Sequence, residues 1–249
     1  NPKIEKLYKT LLNIIARTKN WNQLINITDK AYSNKVIKKE EANENKSIAL
    51  FEIAKIKMKS DGKEAINLIE KAISLKGNFS PYIKLYTQLL FATNNNTRVL
   101  KVLKKYWSQS PSSLLRSSIT DVLKENKINE IEFIQRLISK NQNNDESKKL
   151  LIDFAIYFNN WSVARNNIKG LIGSKPSREI CLFMSAIELG EFNDIQKSDG
   201  WKLRANNAGL DHYWVCKLTN NPQKNWSALS DSGHFNSLEW IQPKMLSVL

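Results

Sequence analysis

Cysteine is almost absent: Cys181 and Cys216 are the only two in 249 residues. That is too few for a disulfide framework, and they lack the C-x-x-C spacing of a zinc site, so a reducing compartment is the expected setting. Glycine is scarce as well. The eight that occur form neither a G-x-G-x-x-G fingerprint nor a phosphate-cradling loop. No G-x-S-x-G elbow is present, and the two histidines, His212 and His234, are too far apart for H-E-x-x-H. Acidic residues are a minority, 24 against 38 Lys and Arg, and the formal charge of +14 favours anionic partners: nucleic acid, an anionic leaflet or an acidic protein. No apolar run reaches the roughly 18 residues that span a bilayer; residues 150–158 come nearest, interrupted by Asp153. These absences argue against an enzyme, since nothing supplies an activated nucleophile, a metal or a held cofactor.

What the chain does have is apolar residues at helical spacing. Ile4, Leu7, Tyr8, Leu11, Leu12 and Ile15 form one stripe, and Trp21, Leu24, Ile27 and Ala31 the next, with Asn20 placed to cap the second helix. Leu50, Ile53, Ala54 and Met58 precede a stop at Asp61-Gly62, and Ala65, Ile66, Ile69, Ala72 and Ile73 form the partner, ended by Gly77. Further pairs are expected at 82–91 with 99–107, 114–123 with 128–138, 150–158 with 161–171, and 179–189 with 193–207. The period of about 30–37 residues matches a tetratricopeptide-type repeat. One helix pair cannot bury its apolar face alone, so neighbours stack. The expected fold is an all-α, tetratricopeptide-like helix–turn–helix solenoid of five or six repeats over residues 1–210, whose concave groove binds proteins. An ordinary helical bundle is the plainer alternative.

The aromatic residues Trp21, Tyr86, Trp107 and Trp161 fall on these stripes, as packing residues do. They therefore weigh against base-stacking platforms and nucleic-acid binding. Carboxylates such as Glu40, Glu41 and Glu44 read as solvated or lysine-paired. Cys181 and Met184, beside Leu182 and Phe183, read as core. Residues 211–249 break the rhythm with Gly, Pro, Asn and Ser between tryptophans. This reads as a small irregular lobe with too little core to stand alone, docked on the last helices through its Trp side chains.

An ordered set of residues over about 150–240 resembles the C-terminal part of the HemY family, proteobacterial tetratricopeptide-type heme-biosynthesis proteins of the inner membrane. The set comprises Trp161, Ala164 and Arg165; Pro176, Cys181, Leu182, Met184, Ala186 and Glu188; Trp201, Arg204 and Ala205; then Asp211, Trp214-Val215-Cys216, Trp226, Gly233, Phe235, Ser237 and Trp240. Some relatives look able to form a zinc-knuckle-like tail. Here Thr219, Ser230 and Ser232 occupy that region, so no metal is expected. The resemblance implies a membrane segment ahead of Asn1, with the repeat domain on the cytoplasmic side of the bacterial inner membrane. It also implies a non-enzymatic scaffold or regulator whose partners are enzymes of late heme (porphyrin) biosynthesis. An unrelated flavin oxidase shares the name, but its glycine fingerprint is lacking, and that activity is not transferred.

Two other readings stand beside the scaffold. One is direct heme or porphyrin binding or carriage, with Cys216, His212 or His234 as axial ligand and the tail tryptophans as an apolar wall; no cofactor is required for the leading reading, and heme is the one the alternative would take. The other is a general membrane or envelope-assembly adaptor with no heme connection. The motif residues Trp161, Ala164, Arg165, Trp201, Arg204, Trp214, Trp226, Phe235 and Trp240 read as structural.

Overall fold

The computed structural model describes residues 2–128, 130–208 and 212–241, so Asp211 of the tail pattern lies outside the described residues. The chain is all-α, with twelve helices and one small three-stranded sheet among those residues. It divides into two compact units. The first joins residues 1–95 to 212–249 and the second is residues 96–211.

The first unit holds α1 (Pro2–Arg17), α2 (Trp21–Ser33), α3 (Lys39–Lys57), α4 (Gly62–Lys76) and α5 (Ser80–Ala92). Each packs on the next in chain order, which is the stacking that helical repeats require. Ala49, Ala54, Ala65 and Ala72 are fully buried, so α3 and α4 approach closely. A core of Leu12, Ile15, Trp21, Leu24, Ile48 and Ala49 ties α1, α2 and α3 together. Through it runs a buried polar chain: Asn45 Nδ2 donates to Tyr8 Oη at 3.1 Å, and Tyr8 Oη donates to Thr28 Oγ1 at 3.3 Å. Each buried polar group thus has a partner, as burial demands. Helix α3 begins at Lys39, well ahead of the apolar stripe that marks it in the sequence, because the polar stretch 39–47 still buries Ala42, Asn45 and Ser47.

The second unit holds α6 (Asn96–Gln109), α7 (Ser113–Glu125), α8 (Ile131–Ile138), α9 (Asp145–Tyr157), α10 (Trp161–Ile168), α11 (Arg178–Phe192) and α12 (Ile195–Asn206), with a 3-10 turn at Lys169–Leu171. Helix α9 packs on α7, α8, α10 and α11, so the first helices of successive pairs lie side by side. Trp107 is fully buried and its indole N–H donates to Ser147 Oγ at 2.8 Å.

One turn recurs between paired helices. Lys19, Lys127 and Asn159 are left-handed, with φ of 56°, 52° and 57°. The residue that follows each donates its N–H five positions back in the Schellman manner: Asn20 to Ile15 O, Ile128 to Leu123 O and Asn160 to Ala155 O. Asn20 and Asn160 then turn their side chains forward to cap α2 and α10.

The tail is a small lobe, as the sequence reading expects, and it is built around a short sheet. Strands β1 (Tyr213–Cys216), β2 (Pro222–Gln223) and β3 (Leu238–Ile241) form an antiparallel sheet in the order β2-β1-β3. The lobe belongs with α1–α5, not with the last helices. Arg17 Nε donates to Gly233 O at 3.1 Å, and Phe235 N donates to Asn13 Oδ1 at 2.8 Å. Trp226 lies edge-on to Phe51, Phe79 and Tyr82, with centroids 5.1–5.9 Å apart. An indole in an aromatic box is the anchor the lobe needs, and that box exists on α3 and at the start of α5. The helices expected over residues 1–210 thus fall in two compact units, the first of which includes the tail.

Candidate functional site

The three candidate heme ligands all lie in the C-terminal lobe. His212 precedes β1, is exposed, and stacks on Trp240 with centroids 6.1 Å apart at 20°. Cys216 ends the same strand, four residues further, a span of about 13 Å in extended chain. His234 sits in the turn where Gly233 N donates to Ser230 O, its own N–H bonded to Ser230 Oγ and its carbonyl accepting from Ser237 Oγ.

Cys216 is 1% exposed, and its thiol donates to Ser237 Oγ at 3.4 Å. Burial pushes the thiol up, but the hydroxyls of Ser237, Thr219 and Ser230 and the Leu218 backbone pull it further the other way, to about 6. The sulfur is thus satisfied by hydroxyls inside the lobe, and an iron ligand would have to displace them. Among the described residues no three His, Cys, Asp or Glu side chains cluster at metal-binding spacing.

The motif residues of the helical part sit at packing contacts. Gly190 on α11 faces the Trp161 ring so closely that any Cβ there would collide with it. Ala164 is fully buried. Arg165 bonds Glu188 at 3.2 Å and also Glu191, tying α10 to α11, and lies 4.9 Å from the Phe192 ring centroid. Arg204 lies over Trp201 at 4.7 Å. In the lobe Trp214 packs on Trp240 and edge-on to Phe79, and Phe235 packs against the α1–α3 core. Trp21, Tyr86 and Trp107 are core residues, as are Cys181 and Met184.

A continuous face across α7, α9 and α11 carries the arrangement with most capacity to bind. Glu146, Lys149 and Asp153 recur at helical spacing along α9, and Glu179, Leu182, Ala186 and Leu189 do so along α11. Arg116 on α7, 7% exposed, bonds Glu146 at 2.8 Å and also Glu179, so one guanidinium bridges three helices. Lys149 pairs with Glu146 at 2.8 Å and reaches Glu179 at 3.6 Å. Lys124 pairs with Asp153 at 3.1 Å and lies 5.1 Å from the Tyr157 ring centroid. Burial opposes ionisation of Glu146, yet Arg116 and Lys149 outweigh it and hold its carboxyl below the usual value. Tyr157, Leu182 and Leu189 remain 42–46% exposed. Fixed charges interspersed with exposed apolar side chains suit protein recognition.

An open cleft of about 550 Å³ lies in the first unit, with Trp21, Ile56 and Leu229 along it and Lys19, Lys55 and Lys59 around it.

No family model matches the chain, and no curated protein matches it. Sequence reasoning passes over Arg116, Tyr157 and Leu189. The signal for Arg116 is a lone cation set between Leu115 and Ile119 on an apolar stripe, a position that requires buried partners.

Proposed function

We propose that this chain is a non-enzymatic, tetratricopeptide-like scaffold that binds partner proteins along the face shared by α7, α9 and α11. The observation that carries this reading is the side-by-side packing of those helices under the Arg116, Glu146, Lys149 and Glu179 network, with Tyr157, Leu182 and Leu189 left exposed beside it. Stacked repeats use such a composite surface for extended ligands. Glu146 is bonded to cations and held ionised, unlike a general acid poised near neutral pH. Resemblance to the HemY family supplies the setting: the inner membrane, the cytoplasmic side and the enzymes of late heme biosynthesis as partners. Tethering such partners raises their effective concentration toward the millimolar range. Among the described residues no helix is long and apolar enough to cross a membrane, so the anchor belongs to the family expectation.

The test is co-purification from intact membranes with wild type and the pair Leu182→Glu/Leu189→Glu. Late heme-pathway enzymes held by wild type and depleted about tenfold by the variant support the reading. Envelope-assembly components in their place would support the adaptor alternative, and equal recovery on both baits would remove this face from the function.

A further inference from the structure

The open cleft of the first unit is walled by three pieces of chain that are far apart in sequence. Glu52, Lys55 and Ile56 share one face of α3, and Lys59 extends that row just past the helix end. Lys19 and Trp21 come from the turn between α1 and α2 and its exit, and residues 227–229 from the C-terminal lobe. Its volume of about 550 Å³ falls in the range of about 300–1,000 Å³ that small-molecule sites occupy.

Two chemistries meet in this cleft. The apolar lining comes from Trp21 and Ala228, which the fold buries, and from Leu229 and Ile56, the last 60% exposed. The cationic part is only partly committed. Lys55 is engaged by Glu52 at 3.0 Å, whereas Lys19 and Lys59 are exposed and form no ion pair among the described residues. The macrodipole of α3 accounts for cations near its own C-terminus. It does not account for Lys19, which a different element brings to the same cleft.

The lining narrows what can sit there. A bare inorganic anion would leave the apolar residues unused, and a neutral apolar ligand would leave two ammonium groups without counter-charge. A nucleic-acid base finds no stacking platform, because Trp21 is only 5% exposed. An extended peptide adds to a backbone edge through free carbonyls, and those of the lobe wall are taken. Ala228 O accepts from Asn236 N–H at 2.9 Å, Leu229 O accepts from the Ser227 hydroxyl, and Leu229 is already bridged to Phe235.

We propose that this cleft binds a small amphipathic carboxylate, its apolar body seated on Trp21, Ile56 and Leu229 and its charge paired with Lys19 and Lys59. The site is separate from the α7, α9 and α11 face and does not depend on that reading.

The probe is 8-anilinonaphthalene-1-sulfonate, an apolar body whose sulfonate stands in for the carboxylate, compared with neutral N-phenyl-1-naphthylamine. Titrated into the full chain, the anion should bind saturably by its fluorescence rise and the neutral analogue about tenfold more weakly or not at all. Lys19→Asn/Lys59→Gln should cost about tenfold in affinity for the anion, and Ile56→Gln a similar factor. Circular dichroism and thermal midpoint should be unchanged, since all three positions are exposed and asparagine suits the left-handed backbone at position 19. Leu182→Glu/Leu189→Glu should retain full binding, which separates this result from the fate of the other face. No binding, equal affinity for the neutral analogue or indifference to both cleft variants overturns the proposal. Competition then reads the body of the ligand. Displacement by laurate or by 1-naphthoate supports the proposal and tells an aliphatic chain from a ring, and displacement by neither overturns it. Acetate displacing the probe equally well would make this a bare anion site, and oligoglutamate displacing it better than both carboxylates would make it a peptide groove; either overturns the proposal.

Discussion

Gly190 shows how one side chain's absence fixes a helix contact. Replacing glycine by alanine in a helix interior ordinarily stabilises by about 1 kcal/mol. Here the added methyl would strike the Trp161 ring across the α10–α11 contact, so the sign reverses. Gly190→Ala is expected to destabilise by about 2 kcal/mol, as overpacking does. In a Trp161→Ala background the same change should stabilise, and a urea-denaturation double-mutant cycle reads both values. Additive effects would show that the two residues do not share this contact. Cys216 supplies a second residue-scale test. Its thiol, lowered to about 6 by hydroxyl and backbone donors, lies below the roughly 8.5 of an unfolded thiol. A depressed acid gives stability that is complete above the unfolded pKa and is lost as pH falls through the folded one. Stability should therefore rise between pH 6 and about 8.5 through this group. Ser237→Ala should move the thiolate absorbance titration upward in a Cys181→Ser background. A titration unmoved by Ser237→Ala would mean the hydroxyls do not set it.

At the scale of elements, the buried network of α7, α9 and α11 carries pH-dependent stability. Glu146 is held below the usual carboxylate range, so its contribution is present above about pH 4.3 and lost as pH falls through its lower folded value. Glu146→Gln should lower the neutral-pH urea midpoint and flatten its acid decline between pH 5 and 3. An equally steep decline in the variant would assign that slope to other carboxylates. Arg116→Ala leaves Glu146 and Glu179 half-buried beside Lys149 alone, and a loss of about 3 kcal/mol is expected. How much of this was legible in advance follows from how local each signal is. The apolar stripes at Trp21, Leu24 and Ala31, the cap at Asn20 and the stop at Asp61-Gly62 all act within one or two turns and can be read directly. The first half of α3 cannot, because its buried Asn45 and Ser47 are polar and their partners, Tyr8 and Tyr82, lie some 35 residues away. Nor can the Arg116 bridge, which joins positions 30 and 63 residues apart. The hydroxyls around Cys216 are visible as a substitution pattern, but their convergence on sulfur is a property of the folded sheet.

At the scale of the whole molecule, the chain closes its first unit only with its last described residues. Asn13 and Arg17 bond Phe235 and Gly233, more than two hundred positions away, and no local pattern announces such a contact. Composition marked the tail as a dependent lobe, while its placement rested on which aromatic box would receive Trp226, and only tertiary structure defines that box. Contacts of such separation form after local ones, because loop closure must come first. Helices α1–α5 should consequently remain incomplete until residues 212–241 arrive, whereas α6–α12 need nothing from the tail's Trp226 anchor. Truncating that anchor removes edge contacts with Phe51, Phe79 and Tyr82, and Trp226→Ala is expected to cost about 3–5 kcal/mol. Because the loss falls on one unit, hydrogen exchange should accelerate across α1–α5 and residues 213–241 and stay near wild type across α9–α12, and thermal unfolding should separate into two transitions. Uniform acceleration through both units would show that they unfold as a single cooperative body, and acceleration confined to α11 and α12 would restore the docking site first expected for the tail.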